Sequence, residues 1–177
     1  MPSTVMIPDG SWTKTGFHHS PSPSKVQVLD RWRIGIVVAL WNREITEELE
    51  RGCRAVLLER GLREDQIETY QVPGCFEIPV ASSWFCSLKS PVDAVIALGC
   101  LIKGETPHFD LIAEAVNRGL MDLSLREGRP MVNGVLTVLD TEQANQRLGG
   151  AHGHKGQEAA YTALQMLELR SQTLQAT

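Results

Sequence analysis

The four cysteines of this chain, Cys53, Cys75, Cys86 and Cys100, stand apart from one another. None forms a CxxC pair and none falls at a Cys/His spacing that would hold zinc, so no metal site is expected. A basic excess is absent too: 21 acidic residues oppose 17 Lys and Arg, for a net charge of -4. That leaves no basic face for a nucleic-acid backbone, although a local cluster of Lys and Arg suffices for a small anion. No apolar run is long enough to cross a bilayer, and the opening MPSTVMIPDGSW lacks the apolar core of a signal peptide. The expectation is a cytoplasmic protein with reduced thiols and no membrane partner. What the chain does have is 177 residues, 42% of them hydrophobic. That is enough for one domain with a sizeable core.

Residues 1 to 30 are rich in Ser, Pro, Thr and Gly and include SPSPS at 20 to 24. Without sustained periodicity they read as a mobile tail, and the His18-His19 pair within it reads as solvated rather than as a metal site. From residue 31 to 177 a single domain is expected, in which strands and helices alternate. IGIVVALW (34 to 41) is the continuous apolar run of a strand covered on both faces. Ile45, Leu49, Cys53, Val56 and Leu57 then recur at helical spacing, and Gly61 suits the helix end. IETYQV (67 to 72), AVIALGCLI (94 to 102) and MVNGVLTVL (131 to 139) are further strands. Helices are expected from near Pro79, from about Phe109 to Glu127, from a Thr141 cap through Arg147, and from about 156 to 170 after the loop GGAHGH. This alternation predicts a parallel sheet with helices on both faces. Ligands of such sheets bind at the carboxyl ends of the strands, so four turns matter: 41 to 43, 73 to 77, 102 to 108 and 133 to 141.

The third turn, GETPHFD, concentrates unusual chemistry. Gly99 to Gly104 has the G-x-x-x-x-G spacing of a phosphate loop, with Thr106 near the Ser/Thr position. Glu105, however, stands where that motif needs lysine, so nucleotide hydrolysis is a weak alternative. A different anion site fits better. Gly104 lets a ligand approach the backbone, Pro107 presets the first turn, and the free N–H groups of a helix start can hold a phosphate monoester. His108 sits at the same place, where a neutral imidazole beside a phosphate ester can shuttle a proton; a helix-capping or core histidine is the competing reading. Arg147 and Lys155 flank the glycine-rich loop, and Glu158 lies one helical turn after Lys155. Together they can form an anion clamp with an orienting carboxylate, against the plainer reading of a solvated charged surface. In VPGCFEIP (72 to 79), Glu77 can accept from a polyol and Phe76 can pack on a ring, or both can serve the turn and core. Cys75 reads as a packing residue rather than a nucleophile. Trp41 is either a stacking platform for a flat heterocycle or a core residue.

Five ordered motifs now carry a resemblance: Trp41-Asn42, VPGCFEIP, GCLIKGETPHFD, GVLTVLDTEQANQRLGG and HKGQEAA. From about residue 33 to 169 the chain resembles the 6,7-dimethyl-8-ribityllumazine synthases of riboflavin biosynthesis. The resemblance implies a flavodoxin-like three-layer α/β/α sandwich on a four-stranded parallel sheet. It also implies a reaction that needs no cofactor. A ribitylaminouracil amine attacks the ketone of 3,4-dihydroxy-2-butanone 4-phosphate, an imine forms, phosphate is eliminated, and the second nitrogen closes the ring. Positioning of two small-molecule substrates would supply much of the catalysis.

On the same footing, Trp41 would stack on the pyrimidine and Asn42 would contact it. Gly74, Cys75, Phe76 and Glu77 would line the ribityl pocket. Leu101, Ile102, Lys103 and Gly104 would be substrate-binding, and the backbone N–H groups of Glu105 and Thr106, with the Thr106 hydroxyl, would hold the phosphate. His108 would transfer protons, Arg147 would pair with phosphate, and Lys155, beside Glu158, would hold the pyrimidine or ribityl end. Three positions depart from the family's pattern. Asn133 stands where Phe from a neighbouring subunit is frequent, His154 replaces the Asn of an NKG motif, and Lys103 replaces a common Arg. Family members assemble as homopentamers with sites between neighbours, and some close into icosahedral capsids; the stretch from Arg147 to Lys155 carries no insertion that departs from the capsid-forming pattern. Trp41 makes riboflavin a further candidate ligand, and keeps a non-enzymatic flavin- or pterin-binding scaffold as the competing function.

Overall fold

A computed structural model describes residues 31–175. The expected tail over 1–30, with its His18-His19 pair, lies outside the described residues. Four parallel strands, β1 (Ile34–Ala39), β2 (Ile67–Val72), β3 (Ala94–Ile102) and β4 (Met131–Val138), form one sheet in the order β2-β1-β3-β4. Helices α1 (Arg43–Glu59) and α5 (Lys155–Gln175) cover one face; α2 (Ile78–Cys86) and α3 (His108–Glu127) cover the other. A short helix α4 (Thr141–Asn145) and a hairpin, β5 (Leu148–Gly150) with β6 (Gly153–His154), complete the chain. The parallel sheet covered on both faces is what the alternation of elements predicts, and the whole is the three-layer, flavodoxin-like sandwich that the resemblance implies.

The two faces of β1 show how the sequence writes the layers. Side chains alternate across a strand. Ile34, Ile36 and Val38 belong to the core beneath α1 and α5, while Val37 and Ala39 belong to the core beneath α2 and α3. Every residue of β1 is buried, hence its unbroken apolar run. Phe85 lies against Gly35, where a Cβ would stand 2.7 Å from the ring, and stacks on Tyr70 with centroids 4.0 Å apart. Burial of one such side chain contributes about 2–3 kcal/mol.

Helix ends follow local chemistry. Gly61, at φ 100°, closes α1: its N–H bonds Leu58 O and that of Leu62 bonds Leu57 O, the paired bonds of a Schellman cap. Gly128, at φ 59°, ends α3 in the same conformation. Three expectations are corrected. The cap of α4 is Asp140, whose carboxylate accepts from Gln143 N at 2.8 Å, and not Thr141, which is already the first helical residue. The loop GGAHGH is a hairpin, made possible by Gly149 and Gly153 at φ 108° and 72°. And β4 runs to Val138, so the functional turn after it begins near Leu139; Asn133 lies near the other end of the strand, opposite Ala97.

Candidate functional site

A cavity of about 540 Å³ opens where β1 and β3 separate at their carboxyl ends. In this strand order the chain leaves β1 toward β2 on one side and β3 on the other, which opens a crevice between their exits. Three turns build its walls. The first is Trp41-Asn42. Asn42 adopts φ 59°, alone among the non-glycine residues described, and its Nδ2 donates to Cys100 O at 2.9 Å. Asparagine tolerates this left-handed conformation better than other side-chain-bearing residues. The turn throws Trp41 outward, leaving it 74% exposed, which rules out the core reading.

The second turn is a single 3-10 turn, Cys75–Glu77. Gly74 N donates to Glu77 Oε2 at 3.0 Å, so the carboxylate closes its own turn while still lining the cavity. Phe76 is 59% exposed and borders the cavity rather than the core. Cys75 is buried against Gly99, and burial pushes its thiol up to about 11, as it does for Cys100. Neither is a thiolate nucleophile at neutral pH.

The third turn joins β3 to α3. Leu101, Ile102, Gly104, Thr106 and His108 line the same cavity as Trp41 and Phe76. A Cβ on Gly104 would meet nothing of this chain within 4 Å, so neither packing nor backbone strain within the chain requires glycine there. Pro107 precedes His108, the first residue of α3, and Leu111 N makes its helical bond to Pro107 O at 3.1 Å. The N–H groups before Leu111 therefore face the turn. Glu105 and Lys103 are exposed in this turn but do not line the cavity. Lys103 Nζ lies 3.5 Å from Asp110 and 5.6 Å from the centre of the Phe109 ring. Gly99, the first glycine of the apparent phosphate loop, lies inside β3, with Cys75 Sγ 2.6 Å from where its Cβ would be. The G-x-x-x-x-G span is thus mostly strand, which removes the nucleotidase reading.

The remaining site residues lie elsewhere on this chain. Asn133, Lys155 and Glu158 line a second cavity of about 560 Å³ along the outer edge of β4, between α3 and α5. Lys155 Nζ donates to Glu158 Oε2 at 2.7 Å, and Asn133 Oδ1 accepts from Val135 N at 2.9 Å. Arg147 lines neither cavity; its Nη1 donates to Gln143 O at 2.8 Å, and its carbonyl accepts from Lys155 N at 2.9 Å. The hairpin between them therefore brings Arg147 and Lys155 side by side. Sequence reasoning missed Cys100, Phe109 and Ile112 as lining residues of the first cavity. Ile112 was within reach, since it follows His108 by one helical turn on the same face. Among the described residues no three His, Cys, Asp or Glu cluster as a metal site, and no helix is long and apolar enough to cross a membrane.

An open parallel sheet with an aromatic-lined crevice at its switch point, ending on a helix N-terminus and a histidine, defines an α/β protein with the place for a small-molecule site at the carboxyl ends of its strands. Comparison with known proteins makes this specific. Residues 31–171 match the family model for 6,7-dimethyl-8-ribityllumazine synthase. The chain is 51% identical to the 6,7-dimethyl-8-ribityllumazine synthase of Cytophaga hutchinsonii over 133 residues, covering 75% of this chain and 83% of the relative. It is 48% identical to the enzyme of that name from Porphyromonas gingivalis over 137 residues (77% and 84%), and 42% identical to that of Xanthomonas oryzae pv. oryzae over 137 residues (77% and 88%). The chain belongs to the 6,7-dimethyl-8-ribityllumazine synthase family, transferases of the condensation step in riboflavin biosynthesis.

Proposed function

We propose that this condensation takes place in a site shared by two copies of the chain, one supplying the first cavity and the other Asn133, Arg147 and Lys155. The observation that carries the reading is the separation of the two groups on one copy. His108 and Thr106 line one cavity; Lys155 and Glu158 line another across the outer edge of β4. A phosphate at the start of α3 calls for a cation, and the nearby Lys103 is engaged by Asp110 and outside the cavity. Arg147 supplies that charge once a second copy docks against the first, and Lys155, held beside it by the hairpin, reaches the pyrimidine or ribityl end.

In this reading Trp41 stacks on the pyrimidine, beside Asn42, which holds the platform to β3. Phe76 and Cys75 flank the ribityl chain, and the oxygens of Glu77 accept from its hydroxyls. The open space over Gly104 admits the phosphate to the N–H groups of Glu105 and Thr106 and to the Thr106 hydroxyl. Leu101 and Ile102 form the wall between ring and phosphate. His108 takes and returns protons as the imine forms and phosphate leaves, and Arg147 neutralises the departing phosphate. Exposed Trp41, Phe76, Leu111 and Leu139 are covered on assembly, which fits a closed homo-oligomer, a pentamer or a capsid of pentamers. Cytoplasmic location completes the reading, and riboflavin is a competing ligand of the Trp41 platform. A steady-state assay with both substrates, following lumazine absorbance and released phosphate together, tests it. Equal yields of the two are expected; bound flavin without turnover would instead favour a binding scaffold.

A further inference from the structure

His154 is the one departure from the family pattern whose side chain is nearly enclosed, 8% exposed, and it directly precedes Lys155. Its ring bridges two elements. Nδ1 accepts from Gln157 N at 3.4 Å, as an N-cap of α5 would, and Nε2 lies 3.2 Å from Glu48 Oε1 on α1. With Nδ1 as acceptor, Nε2 carries the proton and donates to the carboxylate. Glu48 is held from its other side by Arg51, with Nε 2.9 Å from Oε2. Beneath the ring lies Gly52, where a Cβ would run into all three nearest ring atoms, Cε1, Nε2 and Nδ1. Only glycine at 52 leaves room for this imidazole.

We propose that His154, seated on Gly52 and tied to Glu48, is a positioning residue that fixes the Arg147–Lys155 hairpin against α1. The inference rests on the phosphate-binding role given above to Arg147. The backbone passes from His154 to Lys155, whose N–H bonds Arg147 O, so displacement of the imidazole shifts both cations. His154 itself touches neither substrate. The matched pair explains why glycine, a poor helix former, sits in mid-helix at 52.

The test measures KM for each substrate on assembled, full-length enzyme. Gly52→Ala is expected to raise KM for the butanone phosphate about tenfold, which corresponds to ~1.4 kcal/mol of lost binding. Adding His154→Asn, which keeps a capping side chain but removes the ring, should restore most of that loss. Glu48→Ala, which removes the acceptor of Nε2, should raise the same KM, and Glu48→Gln, which still accepts from Nε2, should not. A Gly52→Ala enzyme with unchanged KM, a double variant no better than the single one, or equal effects of Glu48→Ala and Glu48→Gln would each overturn the proposal. Arg147→Ala is the control. If it too leaves KM for the phosphate substrate unchanged, the assignment of Arg147 has failed; if it raises KM and the Gly52 and Glu48 variants do not, only the positioning role has failed.

Discussion

Replacing Asn42 separates two contributions that meet at one residue. Its side chain donates to Cys100 O at 2.9 Å, and its backbone holds φ 59°. Loss of the hydrogen bond removes about 1 kcal/mol. A residue with a Cβ and no local polar compensation in the left-handed region costs about 1–2 kcal/mol more. Asn42→Ala incurs both and should lose ~2–3 kcal/mol. Asn42→Gly loses the bond and some unfolded-state restriction but relieves the backbone, for a net loss of ~1 kcal/mol. Urea unfolding midpoints of the three proteins, compared at constant m-value, read the difference. Because the bond ties the Trp41 turn to β3, both variants should also weaken riboflavin quenching of tryptophan fluorescence. Equal destabilisation by alanine and glycine would refute the strain argument, and flavin binding unchanged in both would refute the tether.

Arg147→Ala should raise KM for the phosphate substrate far more than that for the pyrimidine, by about a hundredfold if one charge-assisted pair of ~2–3 kcal/mol is lost; equal changes would move Arg147 away from the phosphate. Cys75→Ser should leave turnover within a few fold, and Cys75 should resist iodoacetamide at neutral pH, because burial holds its thiol up at about 11; rapid alkylation with loss of activity would contradict this. Arg51 first, and His154 after it, hold the Glu48 carboxyl below its usual 4.5. Its stabilisation is therefore complete above that value and is lost as pH falls through the lower folded value, so Glu48→Gln should flatten the acid limb of the stability profile. An unchanged acid limb would show that Glu48 takes no part.

Much of this was written in one dimension. Strands buried on both faces announce themselves as apolar runs, and β1 and β3 are of that kind. Trp41, Phe76, Thr106 and His108 could be placed because each sits within two residues or so of a strand or helix end, where local signals are strongest. The fourth strand is legible at 131 to 139, within one residue of β4, although β4 is an edge strand with alternating burial; only the turn range 133 to 141 begins too early, inside the strand. The roles of Asn42 and His154 stayed hidden for another reason. Asn42 reaches 58 positions along the chain to Cys100, and His154 reaches 106 positions back to Glu48. No local pattern encodes such pairings. The hairpin within GGAHGH was obscured by its glycines, which read as a loop although two of them supply the positive φ that the hairpin needs.

The central claim is that His108 of one copy works with Arg147 of another. Co-assembly of two impaired variants tests it most directly. His108→Ala should slow turnover about a hundredfold or more with the fold intact, and Arg147→Ala should be impaired as above. If the site is shared, mixed assemblies pair an intact His108 with an intact Arg147 in about a quarter of their sites by random pairing across a heterologous interface. Lumazine formation and phosphate release by the refolded mixture are expected to rise well above those of either parent. Activity no greater than the average of the two parents would mean that each copy supplies both residues to its own site and that the site is not shared.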